Sequence, residues 1–459
     1  MHETPAATKA SAQRLLEEQQ GITRDLLGRL AHAGPRFWTA VAVLGVLFII
    51  GVVGVVLRLQ GGFADRARWG YFAATFAFLL TAFQGAPIVS LATRMVKGHW
   101  RRPLARASEM FAVVGVLSSV LFLVMVGLIP PVQGRRTLWF EWPVGAPYLF
   151  DTLAVVFLAI CGLGLLYTAA LPDIAVARDH APGGRKGLWT TLALHWQGTP
   201  RQWHMQKVAL GVLGGFYLMF FVFTHLLISV DYAMALVPGW KDNIFPAFHA
   251  LVGLQSGVAI TLVALGLLRW VGGYKSYIDT EQFWGLSKLL LALSMLWFYF
   301  QWATFITFWY GKLPAEQSVL TFLMFGPYAG LYGTAVLFSF VLPFLLLIWN
   351  VVRKSTVGPF LAGCVVLIGA FADRLRLYVA AFSVEDIKAH ALESVPAAHL
   401  PDGADFMIMI GMVAGAILLY LLATRIIPVV SVWEVKEMLH YRVVRTFMRA
   451  KVVVLAKPE

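Results

Sequence analysis

The sequence predicts an all-α, polytopic membrane protein of ten transmembrane helices with both termini in the cytoplasm, and three observations carry that expectation. Hydrophobic residues form 59% of the 459-residue chain and charged residues only 13%, at a mean hydropathy of +0.73, which leaves too few polar side chains to cover a soluble domain. Apolar stretches of roughly 20 residues or more, the length that crosses a bilayer, recur from end to end. Lysine and arginine gather in alternate connections between those stretches.

The spans fall in order at 38–58, 69–93, 107–129, 147–171, 206–234, 244–270, 286–310, 328–350, 357–383 and 406–432. Several mix glycine and alanine with large residues, as in "ALGVLGGF" (209–216) and "FLAGCVVLIGAF" (360–371), a composition that lets membrane helices approach closely. Ahead of them, "ASAQRLLEEQQGITRDLLGRLAHAG" (10–34) reads as an amphipathic helix lying on the membrane surface or against a partner. It lacks the short basic start and early apolar core of a removable signal peptide.

Orientation follows from the cations. Arg94, Lys97, Arg101, Arg102, Arg106, Arg178, Arg185, Lys186, Arg201, Arg353, Lys354, Arg442, Arg445, Arg449 and Lys451 fall on one side of a ten-span topology. The other side holds scattered cations such as Lys241 and Lys312, and a long loop with Glu385, Asp386, Glu393 and Asp402. The positive-inside rule makes the first side cytoplasmic. The net charge of +13 therefore reflects topology, and no nucleic-acid partner is expected. The outer connections are rich in Pro, Trp and Tyr ("VPGWKDN", "WYGKLPAEQ"), as suits a membrane interface or a docking surface.

Cys161 and Cys364 are the chain's two cysteines. Iron–sulfur clusters, covalently attached haem and a disulfide framework all need more, so a redox centre here is non-covalent or belongs to another subunit.

Ionisable residues inside spans are costly and point to function. Asp151, His225, Asp231, His249, Asp373 and Arg376 fall in the outer half, whereas Glu109 and Asp173 lie at the inner face. His225 and Asp231 are six residues apart on one helix, so they point to nearly opposite faces and do not form a direct pair. Such an outer cluster suits a quinone-type site, where carbonyls need donors and a quinol needs bases. Structural readings stand beside it. Asp373 with Arg374 or Arg376 is a candidate buried ion pair, Asp151 a candidate helix cap, and Asp173 a candidate cap or local partner of Arg178. Haem b ligated by His225 and His249 is a further reading, poorly supplied with ligands.

The chain resembles the NrfD-like (polysulfide reductase membrane subunit) family, most closely the ten-span forms of alternative complex III. The resemblance rests on "HWRRPLARASEM" (99–110), "LPDIAVARD" (171–179), "WQGTPRQW" (196–203), "HLLISVDYAMALVPGW" (225–240), "IFPAFHALVGLQSG" (244–257) and "LSKLLLALSMLWFYFQWATFITFWYG" (286–311), in that order. It implies two four-helix bundles, residues 67–235 and 236–384, flanked by 38–66 and 406–432, with a cytoplasmic segment 1–37, a periplasmic loop 385–405 and a basic tail 433–459. It implies a subunit of a quinol-oxidising complex in the bacterial inner membrane, binding menaquinone or another quinone and holding no haem, iron–sulfur cluster or other metal of its own. Its partners would be a second NrfD-like subunit, a periplasmic iron–sulfur or molybdopterin-type subunit, cytochrome c subunits and the lipid bilayer.

The family's outer-loop "H-L-G-R-P" is here "VQGRR", with Val132 at the histidine position and only Gly134 and Arg135 kept. Its "P-G-W-H" ends in Lys241, and its "W-D" reads Phe150-Asp151. These departures leave open whether the chain is catalytic itself or a partner copy that retains the bundle. On this reading Asp151, His225, Asp231, Arg135 and Arg376 form an outer polar site, and Glu109, Asp173, His249 and Asp373 a proton path. A secondary transporter with a charged substrate or ion site is the alternative, and a structural scaffold a third.

Overall fold

The computed structural model describes residues 5–129, 146–181, 186–447 and 450–455; Val132 and Arg135 lie outside them. The helices are α1 (Pro5–Ala31), α2 (Pro35–Gln60), α3 (Ala67–Met95), α4 (His99–Val126), α5 (Ala146–His180), α6 (Lys186–Leu192) and α7 (Pro200–Tyr232). They continue as α8 (Phe245–Trp270), α9 (Thr280–Gly311), α10 (Pro314–Leu320), α11 (Ala329–Leu347), α12 (Val357–Phe382), α13 (Gly403–Ala423) and α14 (Val432–His440). Among the described residues, nine helices are long and apolar enough to cross a membrane: α2, α3, α4, α5, α7, α8, α9, α11 and α13. α12 has 26 residues, about 39 Å of helix, but carries Asp373, Arg374 and Arg376.

Local chemistry sets several ends that hydropathy misplaces. A capping box of Thr199 and Gln202 starts α7 ahead of its apolar window, and one of Asp279 and Gln282 does the same for α9. α4 begins at His99 rather than 107, with Pro103 in the first turn of its α-helical part. Arg102 and Arg106 thereby enter the helix and are buried. α13 stops at Ala423 instead of 432, with Pro428 downstream, where a continued helix would lose a backbone donor. Within α3 the backbone opens into a π turn at Leu79–Phe83, one turn before Pro87. Proline has no N–H to offer the Phe83 carbonyl, a common cause of such an irregularity.

α3 and α8 are the most buried spans and cross at their glycines. A Cβ at Gly257 would come within 2.8 Å of the Ala86 amide nitrogen, and one at Gly85 would overlap the Gly253 carbonyl. α3 also packs on α12, and α8 on α7. α4, α5 and α7 pack successively beside α3, and α9, α11 and α12 beside α8. α2 and α13 pair with each other through Gly51 and Gly411, the latter part of a Gly411–Gly415 small-residue stripe. Arg58 ties this pair at one end, 2.6 Å from Asp402 and 2.8 Å from Asp405.

The segments outside the spans are more ordered than their composition suggests. α1, expected on the membrane surface or a partner, docks on this chain itself. Leu26, Leu27 and Leu30 are buried, Arg29 bonds the Gly272 carbonyl at 3.2 Å, and Arg425 donates to the Arg29 and Leu30 carbonyls. The basic tail contains α14 and an antiparallel hairpin, β1 (Arg442–Phe447) and β2 (Ala450–Leu455), with Arg442 opposite Leu455.

Candidate functional site

Two buried polar clusters occupy opposite ends of the helices. On α5, Asp151 and Asp173 are 22 residues apart, about 33 Å along the axis, close to a bilayer's hydrocarbon thickness.

At the first end Asp151 of α5 meets Asp231 of α7, carboxyl to carboxyl in hydrogen-bonding contact, and both are fully buried. Asp151 lies beyond the first turn of α5, so it is not that helix's cap. Two carboxyl groups can form a hydrogen bond only with a proton between them. Asp231 also borders an open hollow of about 270 Å³ whose other walls are Phe150, Phe223, Leu226, Leu227 and Val230. Phe223 and Leu226 are exposed on the outer face of α7, so the hollow opens where lipid would lie. Tyr232, the next residue, lies within electrostatic reach of Asp151, Asp231 and Tyr378.

Tyr378 of α12 leads to the histidines. Its hydroxyl and His249 Nε2 share a 2.9 Å hydrogen bond, and the His249 and His225 rings lie 5.1 Å apart, centre to centre. Gly253 makes room for His225, because a Cβ there would come within 3.0 Å of Nε2. His225 Nδ1 donates to the Phe221 carbonyl at 2.9 Å, which leaves Nε2 of the neutral ring as an acceptor. The two imidazole planes are tilted 54° to one another.

Arg374, fully buried, approaches the His249 carbonyl at 3.5 Å and Asp373 Oδ2 at 3.9 Å. Arg376 takes the other oxygen of Asp373 at 2.6 Å and donates to the Leu323 carbonyl at 3.3 Å, within a π turn at Thr321–Phe325. The expected buried ion pair is therefore present, between Asp373 and Arg376. Beside Arg376 a 20 Å³ cavity, room for one water, is lined in part by Asp242, Gln301 and Thr304. Asp242 sits in the 235–243 connection and accepts from the Ile244 amide at 2.8 Å and Thr304 at 3.1 Å. Burial there raises its carboxyl above the usual range.

The second cluster is an ion-pair network. Glu109 accepts from Ser90 at 2.7 Å and Arg94 at 2.9 Å, and lies 3.5 Å from Arg106. Arg106 reaches Asp173 at 3.2 Å. Asp173 also accepts from Ser431 at 2.8 Å and the Trp433 amide at 3.0 Å. It thus caps α14, far along the chain, while Arg178 pairs with Asp179 at 2.7 Å. Glu434 closes the network, 2.9 Å from Arg101 and 3.1 Å from Arg94.

The expected sites divide accordingly. Asp151 joins Asp231, His225 joins His249, Arg376 joins Asp373, and Glu109 and Asp173 belong to the other end. Between the ends lie Gln84 and Tyr217, whose hydroxyl donates to the Gln84 carbonyl at 2.6 Å. Ser90 is about 9 Å below Gln84 on α3, and His225 about 12 Å beyond Tyr217 on α7, gaps that side chains alone do not bridge. Sequence reasoning missed Tyr232, Tyr378 and Glu434. Tyr232 directly follows Asp231, and Tyr378 lies two residues after Arg376, which was a usable signal. Among the described residues no three His, Cys, Asp or Glu side chains converge as a metal site.

No protein-family model matches the chain, and no curated protein matches it.

Proposed function

We propose that this chain is an integral membrane subunit of a quinol-oxidising electron-transfer complex of the alternative complex III type, in the bacterial inner membrane. The observation that supports it best is the buried Asp151–Asp231 carboxyl pair, whose Asp231 borders an apolar hollow open to the lipid side. In this reading α12 is the tenth span, its charges turned onto Asp373, His249 and the Leu323 carbonyl and away from lipid. Ten spans put both termini at the arginine-rich end, which the positive-inside rule makes cytoplasmic. The grouping of α3, α4, α5, α7 and of α8, α9, α11, α12 serves as the two bundles, and α2 with α13 as the flanking pair.

The apolar walls suit an isoprenoid tail, and Asp231, buried against Asp151, borders them. Menaquinol or another quinol, when bound, would supply two electrons and two protons on oxidation to the quinone. Asp231 would take a proton only from a quinol head group that passes the apolar lining to reach its buried carboxyl, and Asp151 would share it. Phe223, Leu226 and Leu227 exclude water from that exchange. Tyr232, Tyr378 and His249 carry hydroxyl and imidazole groups away from the pair, toward Asp373, Arg376 and the water-sized cavity at Asp242. Arg374 offsets negative charge on Asp373. Glu109 and Asp173 are the cytoplasmic terminus of a path that needs water beside Gln84 and Tyr217. The electron acceptors of this reading are partner subunits: a second NrfD-like chain, an iron–sulfur or molybdopterin-type subunit, and cytochrome c.

The test is purification of the chain from native membranes with identification of its companions, followed by quinol turnover of the assembled complex carrying Asp231→Asn. Iron–sulfur and cytochrome c companions, with turnover reduced at least about tenfold, are expected. Unchanged turnover would sink the role of Asp231. A chain recovered alone would favour a secondary transporter using the same carboxyls for an ion.

A further inference from the structure

The arginine-rich end holds a second polar feature, far from the carboxyl pair, where α9 begins and the turn between α11 and α12 lies against it. Lys288 Nζ is 3.7 Å from the centre of the Trp284 ring, and Lys354 Nζ is 5.4 Å from the same ring. Arg353 adjoins them, its Nε buried without a hydrogen-bond partner among the described residues. None of these three cations forms an ion pair among the described residues. The contrast with the neighbouring basic segment is sharp. Arg94, Arg101, Arg102 and Arg106 are each neutralised by Glu109, Asp173, Glu434 or Glu437.

Like charges gathered on one indole repel, and a ring quadrupole offsets that only in part. A negatively charged group between them would remove the repulsion. The surroundings say what carries it. Ile348, Trp349 and Val351 project from the same turn, with Trp349 67% and Val351 84% exposed. A bare tryptophan and valine beside unpaired lysines, at the ends of membrane helices, match the boundary where acyl chains meet headgroups. An acidic protein segment would satisfy the lysines but leave that apolar surface uncovered.

We infer that Trp284, Lys288, Arg353 and Lys354 bind the phosphate of an anionic phospholipid, its acyl chains lying along Trp349 and Val351. The inference requires only that the chain is embedded in a membrane and is independent of the quinol reading. Lys288 and Lys354 are exposed, so Lys288→Ala with Lys354→Ala removes two of the site's three charges without touching the core.

The full chain in neutral detergent is titrated with phosphatidylglycerol and, separately, phosphatidylcholine, and bound lipid is counted by native mass spectrometry. Each lysine contributes roughly fivefold to anionic-lipid binding, so the double variant binds phosphatidylglycerol roughly 25-fold more weakly, with phosphatidylcholine and melting temperature unchanged. Equal phosphatidylglycerol binding by wild type and variant overturns the inference, as does wild type that does not distinguish the two lipids. A poly-glutamate peptide that displaces phosphatidylglycerol at matched concentration would overturn it in favour of an acidic protein partner.

Discussion

Asp151 of α5 and Asp231 of α7 hold each other carboxyl to carboxyl in a fully buried position. Such a pair is stable only as a unit. Replacing one member leaves a buried carboxyl without its partner, at a cost of about 1–3 kcal/mol, whereas replacing both with leucine of similar bulk is close to neutral. Thermal unfolding in detergent should therefore show Asp151→Leu and Asp231→Leu each lowering the midpoint, and the double variant recovering most of it. Additive losses would mean that the two carboxyls do not interact.

Asp373 faces two buried guanidinium groups, Arg376 at 2.6 Å and Arg374 at 3.9 Å. Asp373→Ala leaves both cations uncompensated and should cost about 3–5 kcal/mol, enough to prevent accumulation of folded protein. Arg374→Met keeps the tighter pair and removes the less satisfied charge, so it should be within about 1 kcal/mol of wild type. Folded yield and melting temperature check both. An Arg374 variant as damaged as the Asp373 variant would contradict this division.

The α3–α8 crossing depends on missing side chains. Gly85 and Gly257 meet backbone to backbone, while Gly211 on α7 faces open space. Gly85→Val forces the helices apart at a cost of about 1–3 kcal/mol. Gly211→Ala should be neutral or slightly stabilising, since nothing opposes the methyl group. Melting temperatures of the two variants in one detergent make the comparison, and equal values would remove the crossing from the account of stability.

Much of the helical architecture was legible because burial in lipid demands long apolar segments, and α2, α8 and α13 announce themselves that way. The ends were less legible. Thr199 and Asp279 start helices through hydrogen bonds that hydropathy does not register, and Arg102 and Arg106 enter α4 because distant acids neutralise them. The same distance hid the partners within the site. Arg374 lies 125 residues from His249, and Ser431 lies 258 residues from Asp173. A sequence shows that Asp173 and Asp231 are costly in an apolar environment. It does not show that one caps α14 while the other shares its site with Asp151. His225 and His249 were legible as neighbours in depth, but the Tyr378 hydroxyl that engages His249 was not.

The docking of α14 gives a prediction in pH. Glu434 is buried, which pushes its carboxyl up, but the charges of Arg101 and Arg94 and the Arg101 hydrogen bond outweigh burial and hold it below the ordinary glutamate value. A group depressed in the folded state contributes stability that is fully present above its unfolded value and is lost as pH falls through the folded one. The α14 contact should therefore be constant from neutral pH down to about 5 and weaken only in stronger acid. Glu434→Gln keeps the shape but loses the charge-assisted bonds, so α14 should be looser at neutral pH, by about 1.5–3 kcal/mol. Hydrogen exchange over 432–440, read against pH in detergent, measures both. Protection lost between pH 7 and 5 in the wild-type protein, or an unchanged Glu434→Gln profile, would show that Asp173 alone, through Ser431 and the Trp433 amide, holds the segment in place.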